Sequence, residues 1–195
     1  MLPDPKQLTA TTLRNPALAA RQLMALNLPR NHLWAALVLM AALQALTFGI
    51  SDLLIPTTAP IPIVFESPLV FFAMAVVALV LTVFSLQFAG RMLGGEGTLE
   101  DILVVIVWMQ VLRVAVQVLA LVLTLTLPGL ALLLVFVATV LGLYILLHFV
   151  NEAHRLHSLG RSAGVLVSAL IFMVLGLSLF LSLIGAPLVG ADIYV

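Results

Sequence analysis

Five long apolar runs, separated by short polar or turn-forming breaks, organise this 195-residue chain: Leu33–Ile50, Leu69–Arg91, Ile102–Thr126, Gly129–Val150 and Ala163–Ala186. An α-helix rises about 1.5 Å per residue, so runs of roughly 20 residues match a hydrocarbon core about 30 Å thick. The runs lack the apolar–polar alternation that the strands of an outer-membrane barrel require. The pattern predicts an all-α, polytopic integral membrane protein with five transmembrane helices, each satisfying its own backbone.

The breaks carry the next layer of prediction. Asn15-Pro16 sets a capping residue before a proline at the first helical position, which predicts a short helix over Pro16–Leu28 ended by Pro29. Its Leu18, Leu23, Met24 and Leu26 form no single stripe, so it reads either as a helix lying on the headgroups or as a solvated tether. Ser51–Pro68 is apolar but holds Pro56, Pro60, Pro62 and Pro68, a density that forbids a continuous helix. It is expected to lie flat at the outer interface, with a re-entrant loop as the alternative. Ser67-Pro68 then opens the second span. Leu127-Pro128-Gly129 makes a tight turn between spans three and four, and Asn151–Ser162 joins spans four and five.

The link Gly94-Gly95-Glu96-Gly97-Thr98-Leu99-Glu100-Asp101 invites comparison with a phosphate-binding loop. Such a loop ends in Lys followed by Ser or Thr, and here acid stands where phosphate needs base. A structural reading accounts for each residue instead. Gly94 or Gly95 closes the second span, and Thr98 with Asp101 forms a capping box for the third. Small pairs four apart (Ala41 and Ala45, Ala138 and Gly142, Gly164 and Ser168, Ser178 and Ser182) allow close helix approach and leave self-association open.

Composition sharpens the class: the chain is 64% hydrophobic and 8% charged, with a mean hydropathy of +1.29. A soluble domain could not hide that much apolar surface. Formal net charge is zero, so charge points to no nucleic acid, and the absence of cysteine removes disulfides and thiolate chemistry. The distribution of charge is more informative. Lys6, Arg14, Arg21 and Arg30 precede the first span, Arg91 ends the second, and Arg155 and Arg161 lie between the fourth and fifth, while the other links hold no Lys or Arg. The positive-inside rule predicts a cytoplasmic N-terminus and, after five crossings, a C-terminus outside. The expected division is a cytoplasmic segment at 1–32 with a short interfacial helix, a transmembrane domain at 33–186 and an external tail at 187–195. The first 32 residues are too polar for the start of a cleaved signal, so the first span reads as an uncleaved anchor.

One basic residue breaks the rule. Arg113 lies near the middle of the third span, and Gln110, Arg113, Gln117 and Thr124 fall within about 60° of one another at 100° per residue. An intramembrane polar stripe faces the protein interior or a wet cavity. Arg113 is then either an interhelical clamp, with Gln44, Gln87, Tyr144 or backbone carbonyls as acceptors, or a site for an anionic group. No Asp or Glu is expected at its depth. His148, Glu152, His154 and His157 cluster near the end of the fourth span, but they include one carboxylate and no His-Glu-x-x-His or Glu-x-x-His spacing. No metal, cofactor or catalytic residue is assigned, and no nucleophile triad is visible.

The stretch Phe88–Gly185 resembles the Yip family of five-span membrane proteins, the Ypt/Rab-interacting proteins and their bacterial relatives. The likeness rests on Arg91-Met92-Leu93, then Gly94-Gly95-Glu96-Gly97-Thr98, a third span carrying Trp108, a tight turn, and a His- and Arg-bearing loop before the last span. The resemblance implies a non-enzymatic protein that organises membrane partners or influences bilayer shape. Relatives bind Rab-type GTPases partly through long N-terminal regions, and a segment of 32 residues argues against that partner here. Seven Arg against one Lys, with abundant Ala, Leu and Val, points to a GC-rich bacterium and its inner (plasma) membrane. The implied partners are the lipid bilayer and either a second copy or another membrane protein. The alternatives are a transporter or lipid-handling protein with an anion-binding cavity around Arg113, and a small subunit of a larger membrane complex.

Overall fold

The computed structural model describes residues 4–55 and 67–189, and it is helical throughout the described residues apart from short links. The helices are α1 (Pro5–Arg14), α2 (Pro16–Met24), α3 (Arg30–Leu54), α4 (Pro68–Met92), α5 (Leu99–Thr126), α6 (Pro128–Ala153) and α7 (Leu159–Val189). Five of these, α3 to α7, are long and apolar enough to cross a membrane, as the hydrophobic runs predict. α3 packs on α4 and α5, α4 on α7, and α6 on both α5 and α7, which closes the five into a ring.

Local chemistry sets the helix ends. Asn15 accepts a hydrogen bond from the Leu18 N–H (3.1 Å) and Pro16 occupies the first helical position, as expected. The same device opens a helix that the hydrophobic pattern does not reveal. Asp4 accepts from the Lys6 N–H (3.0 Å) ahead of Pro5, and α1 follows. Thr98 and Asp101 complete the expected capping box at α5, and Gly94 takes a left-handed φ of 82° just past α4. α4 begins at Pro68, although the Ser67 side chain makes no capping bond. α3 reaches Leu54, beyond its apolar run, so Asp52 belongs to the helix. Most of Ser51–Pro68 and the tail around Asp192 lie outside the described residues.

The start of α3, the α4–α5 link, the α6–α7 link and the helices α1 and α2 share one end of the bundle, called here the basic end. Neither helix of the N-terminal segment is a solvated tether. α2 packs on α5 and α6, α1 packs on α2, and Leu8, Thr12, Ala19, Ala20 and Leu23 are buried. Thr12 accepts a hydrogen bond from the Trp108 indole N–H (3.0 Å). Trp108 stands nine residues into α5, about 13 Å along its axis, so α1 reaches well into the bundle.

The core occupies the same half. Buried side chains run from Leu33 to Ala45 in α3, Leu79 to Gly90 in α4, Ile102 to Gln110 in α5 and Ser162 to Ala169 in α7. In α6 they cluster at Ile145–Ala153, with Ala131 as an outlier. Between these helices Gln44 donates to Gln110 (2.9 Å), both nearly fully buried. Toward the far end no described residue of α3, α4, α5 or α7 is buried to that degree.

Candidate functional site

The two links at the basic end form one junction built around His154. Its side chain is fully buried, and a Cβ added at Gly90 would collide with the imidazole ring. A Cβ on Gly95 would lie 2.8 Å from the His154 Cβ, and one on Gly97 would strike the Ala153 carbonyl oxygen. The glycines are a cradle for a histidine, because only a residue without a side chain lets backbone and ring approach so closely. The Glu96 N–H donates to the His154 carbonyl (3.0 Å), and the Gln87 amide donates to the Gly97 carbonyl (3.1 Å). Gly94, Gly95, Glu96 and Thr98 all spend their N–H groups inside the protein. No nest of free donors remains for a phosphate, in keeping with the structural reading of this link.

Backbone strain completes the junction. Arg155 and His157 both adopt left-handed φ values of 54°, unusual for residues with side chains. The turn at Arg155 sends His154 inward and Arg155 outward. Arg155 donates to the Glu96 carbonyl (3.2 Å) and lies 3.5 Å from the Asp101 carboxylate. Two further pairs tie the N-terminal segment down: Arg21 grips Glu152 through two bonds (2.8 and 3.1 Å), and Arg30 meets Glu100 at 2.9 Å. Glu152 raises the Arg21 pKa, first through these bonds and then through its charge.

His154 places Nδ1 3.2 Å from the Val150 carbonyl, while Nε2 is buried without a hydrogen-bond partner. Burial pushes the imidazole below its usual value of 6.5. The Val150 and Leu86 carbonyls and the Asp101 charge pull the other way without prevailing. Leu86 is near enough to favour a proton on the ring but makes no bond of good geometry. The other members of the histidine cluster are dispersed. His148 bonds back to its own Tyr144 carbonyl (2.9 Å), Glu152 is taken by Arg21, and among the described residues no three His, Asp or Glu side chains converge on a metal position.

Two clefts open beside this junction. One, of about 370 Å³, is almost wholly apolar and runs between α1, α2, α3 and α5 past Leu8, Leu33 and Trp108. The other, of about 280 Å³, is polar, bordered by Asn27, Thr98, Glu100, Asp101 and Arg155.

The intramembrane stripe lies elsewhere. Gln110 is engaged by Gln44, and the buried amide oxygen of Gln117 has no partner. Arg113 is exposed and makes no hydrogen bond or ion pair among the described residues. Of the acceptors suggested by sequence, Gln44 and Gln87 donate their amide N–H groups to Gln110 and the Gly97 carbonyl, the Gln87 oxygen is buried without a partner, and Tyr144 packs tilted against His148 with ring centroids 4.4 Å apart. One carboxylate lies beyond this depth, toward the far end. Because α3 is longer than its apolar run, Asp52 stands eight residues beyond Gln44, roughly level with Gln117, which is seven beyond Gln110.

Sequence reasoning noticed the glycines and the histidines separately and did not join them. The available signal was Gly90, a helix-weakening residue inside a span four positions before the link. A family model described as the Yip1 domain matches residues 10–180, which takes in α2, the helices α3 to α6 and α7 as far as Phe180. No curated protein matches the chain, and no solved structure does.

Proposed function

The chain belongs to the Yip1 domain family, and from that premise we propose that it is a non-enzymatic, multi-pass membrane protein that influences bilayer shape and organises partners at its basic end. In this reading the basic end faces the cytoplasm of a bacterium and the protein resides in the plasma membrane, on the strength of the arginine distribution. One observation carries the proposal: α1 and α2 are packed into a single end of the bundle. Seven helices share that level, while five continue to the far side. With a helix diameter of about 10–12 Å, each added helix contributes on the order of 100 Å² of cross-section. The molecule is a wedge, broad in the basic leaflet, and bilayers curve around such inclusions. Arg14, Arg91 and Arg161 form no ion pairs among the described residues and are suited to anionic headgroups.

Reconstitution into liposomes at rising protein-to-lipid ratio, imaged by cryo-electron microscopy, tests this. The full chain should narrow vesicles or draw tubules. Removal of residues 1–28 should abolish the effect while protease protection still reports five inserted spans. Vesicles of unchanged diameter with the full chain would refute the wedge.

A further inference from the structure

We infer that the opening beside Arg113 binds a single oxyanion, a phosphate- or carboxylate-type group, that enters from the far half of the bundle. The inference does not depend on the bilayer-shaping reading. Direction is the first observation. With Gln110 set at zero and about 100° per residue, the exposed residues Ala115, Val118, Leu119, Val122, Leu125 and Thr126 span about 60° to 180°. That sector is the lipid-facing side of α5. Arg113 lies at about 300°, opposite its centre, yet it is exposed as well. Its exposure is therefore an unfilled space between helices rather than contact with lipid tails.

Depth is the second. Arg113 stands 14 residues from the first residue of α5 and 13 from the last, about 20 Å from either end, too far for its side chain to reach a headgroup layer. The core closes the basic half up to Gln110, so access comes from the far side. The third observation is the company it keeps. Gln117, one turn further along the same side, holds a buried amide oxygen that no described group satisfies. A carboxamide can turn to present its N–H₂ instead. A guanidinium offers five donors in a fork that matches carboxylate and phosphate oxygens, which sets the ligand class. Among the described residues Asp52 is the nearest carboxylate in level, and it forms no ion pair with Arg113.

The test uses full-length protein purified in a phosphate-free maltoside, with thermal unfolding followed as ligand is titrated, because a ligand that binds the folded state raises its melting temperature. Inorganic phosphate is one arm and phosphatidic acid is the other. A saturable rise with either supports the site. Phosphate alone sufficing identifies a soluble anion, whereas a response confined to the lipid identifies a headgroup. Arg113→Gln should lose the response, and Lys6→Gln, at the basic end, should keep it. Asp52→Asn should bind at least as well as the unaltered protein. The inference falls if neither ligand shifts unfolding, if Arg113→Gln responds as fully as the parent, or if Asp52→Asn loses the response equally, since Asp52 would then be the arginine's partner.

Discussion

Gly90→Ala isolates the histidine cradle with one methyl group. Gly90 lies inside α4, where alanine should gain about 1 kcal/mol of helix propensity. Against that gain stands the imidazole of His154, which occupies the space a Cβ would need. The ring is fully buried, so it cannot swing aside without repacking the junction. Overpacking in a tight interior costs about 1–3 kcal/mol and occasionally more, and eviction of the ring also strips its contacts and the bond to the Val150 carbonyl. The steric term wins, and a net loss of about 2 kcal/mol is expected, close to a thirty-fold shift in the unfolding equilibrium. Gly142→Ala provides the control, because nothing lies within 4 Å of a Cβ there and only the propensity gain should appear. Both variants would be unfolded by denaturant titration in detergent micelles, together with His154→Ala and the Gly90→Ala/His154→Ala pair. The double variant should recover much of the loss, giving a strongly non-additive cycle. Gly90→Ala as stable as Gly142→Ala, or an additive cycle, would refute the cradle.

Acidification should weaken the same junction. The folded imidazole has a lowered pKa, so as pH falls below the ordinary value of 6.5 the opened state takes up a proton that the folded state refuses. Stability is complete well above that value and declines as pH falls through it toward the lowered folded pKa, while His154→Gln should flatten the profile; an increase on acidification would contradict the assignment. The docking of α2 can be read by charge exchange: Arg21→Glu should lower stability by setting two carboxylates against each other, and adding Glu152→Arg should recover the loss. Gln44→Leu should cost about 0.6–1.7 kcal/mol by leaving Gln110 unpaired, whereas Gln44→Leu with Gln110→Leu should be nearly neutral in the same denaturant assay.

The spans were legible because a membrane imposes one dominant rule, and a run such as Leu69–Arg91 obeys it without help from tertiary context. The α5 cap was equally legible, since Thr98 and Asp101 meet within one turn and need no partner from elsewhere. What escaped was either short or distant. α1 contributes few apolar residues, among them Leu8, Ala10 and Leu13, so periodicity is silent and only Asp4-Pro5 marks it. The bond between Thr12 and Trp108 joins residues 96 apart. His154 meets Gly90 and Gly95 from a different link, and no local pattern records that a glycine is empty because another element's side chain fills it. The polar stripe of α5 could be drawn from sequence, but whether the ring of helices closes over Arg113 depends on packing.

These two findings bear on each other. The basic half is fixed by elements that lock only when assembled: glycines that admit one ring, a left-handed turn at Arg155 that aims it, and ion pairs that pin the N-terminal segment across the links. Helix association in lipid gains little from burial of apolar surface alone, so close backbone approach and interhelical hydrogen bonds have to hold the bundle together. They are concentrated below Gln110, while the far halves keep lighter contacts, such as the stacked rings of Phe48 and Phe71 (centroids 4.3 Å apart). A rigid base with a lightly packed far half leaves room beside Arg113, whereas a uniformly packed bundle would have to bury that guanidinium against a partner. If the cradle is broken by Gly90→Ala, the far half should lose its fixed spacing, and any oxyanion response at Arg113 should weaken with it. A response that survives loss of the cradle would show that the site is set by α5 and its immediate neighbours alone.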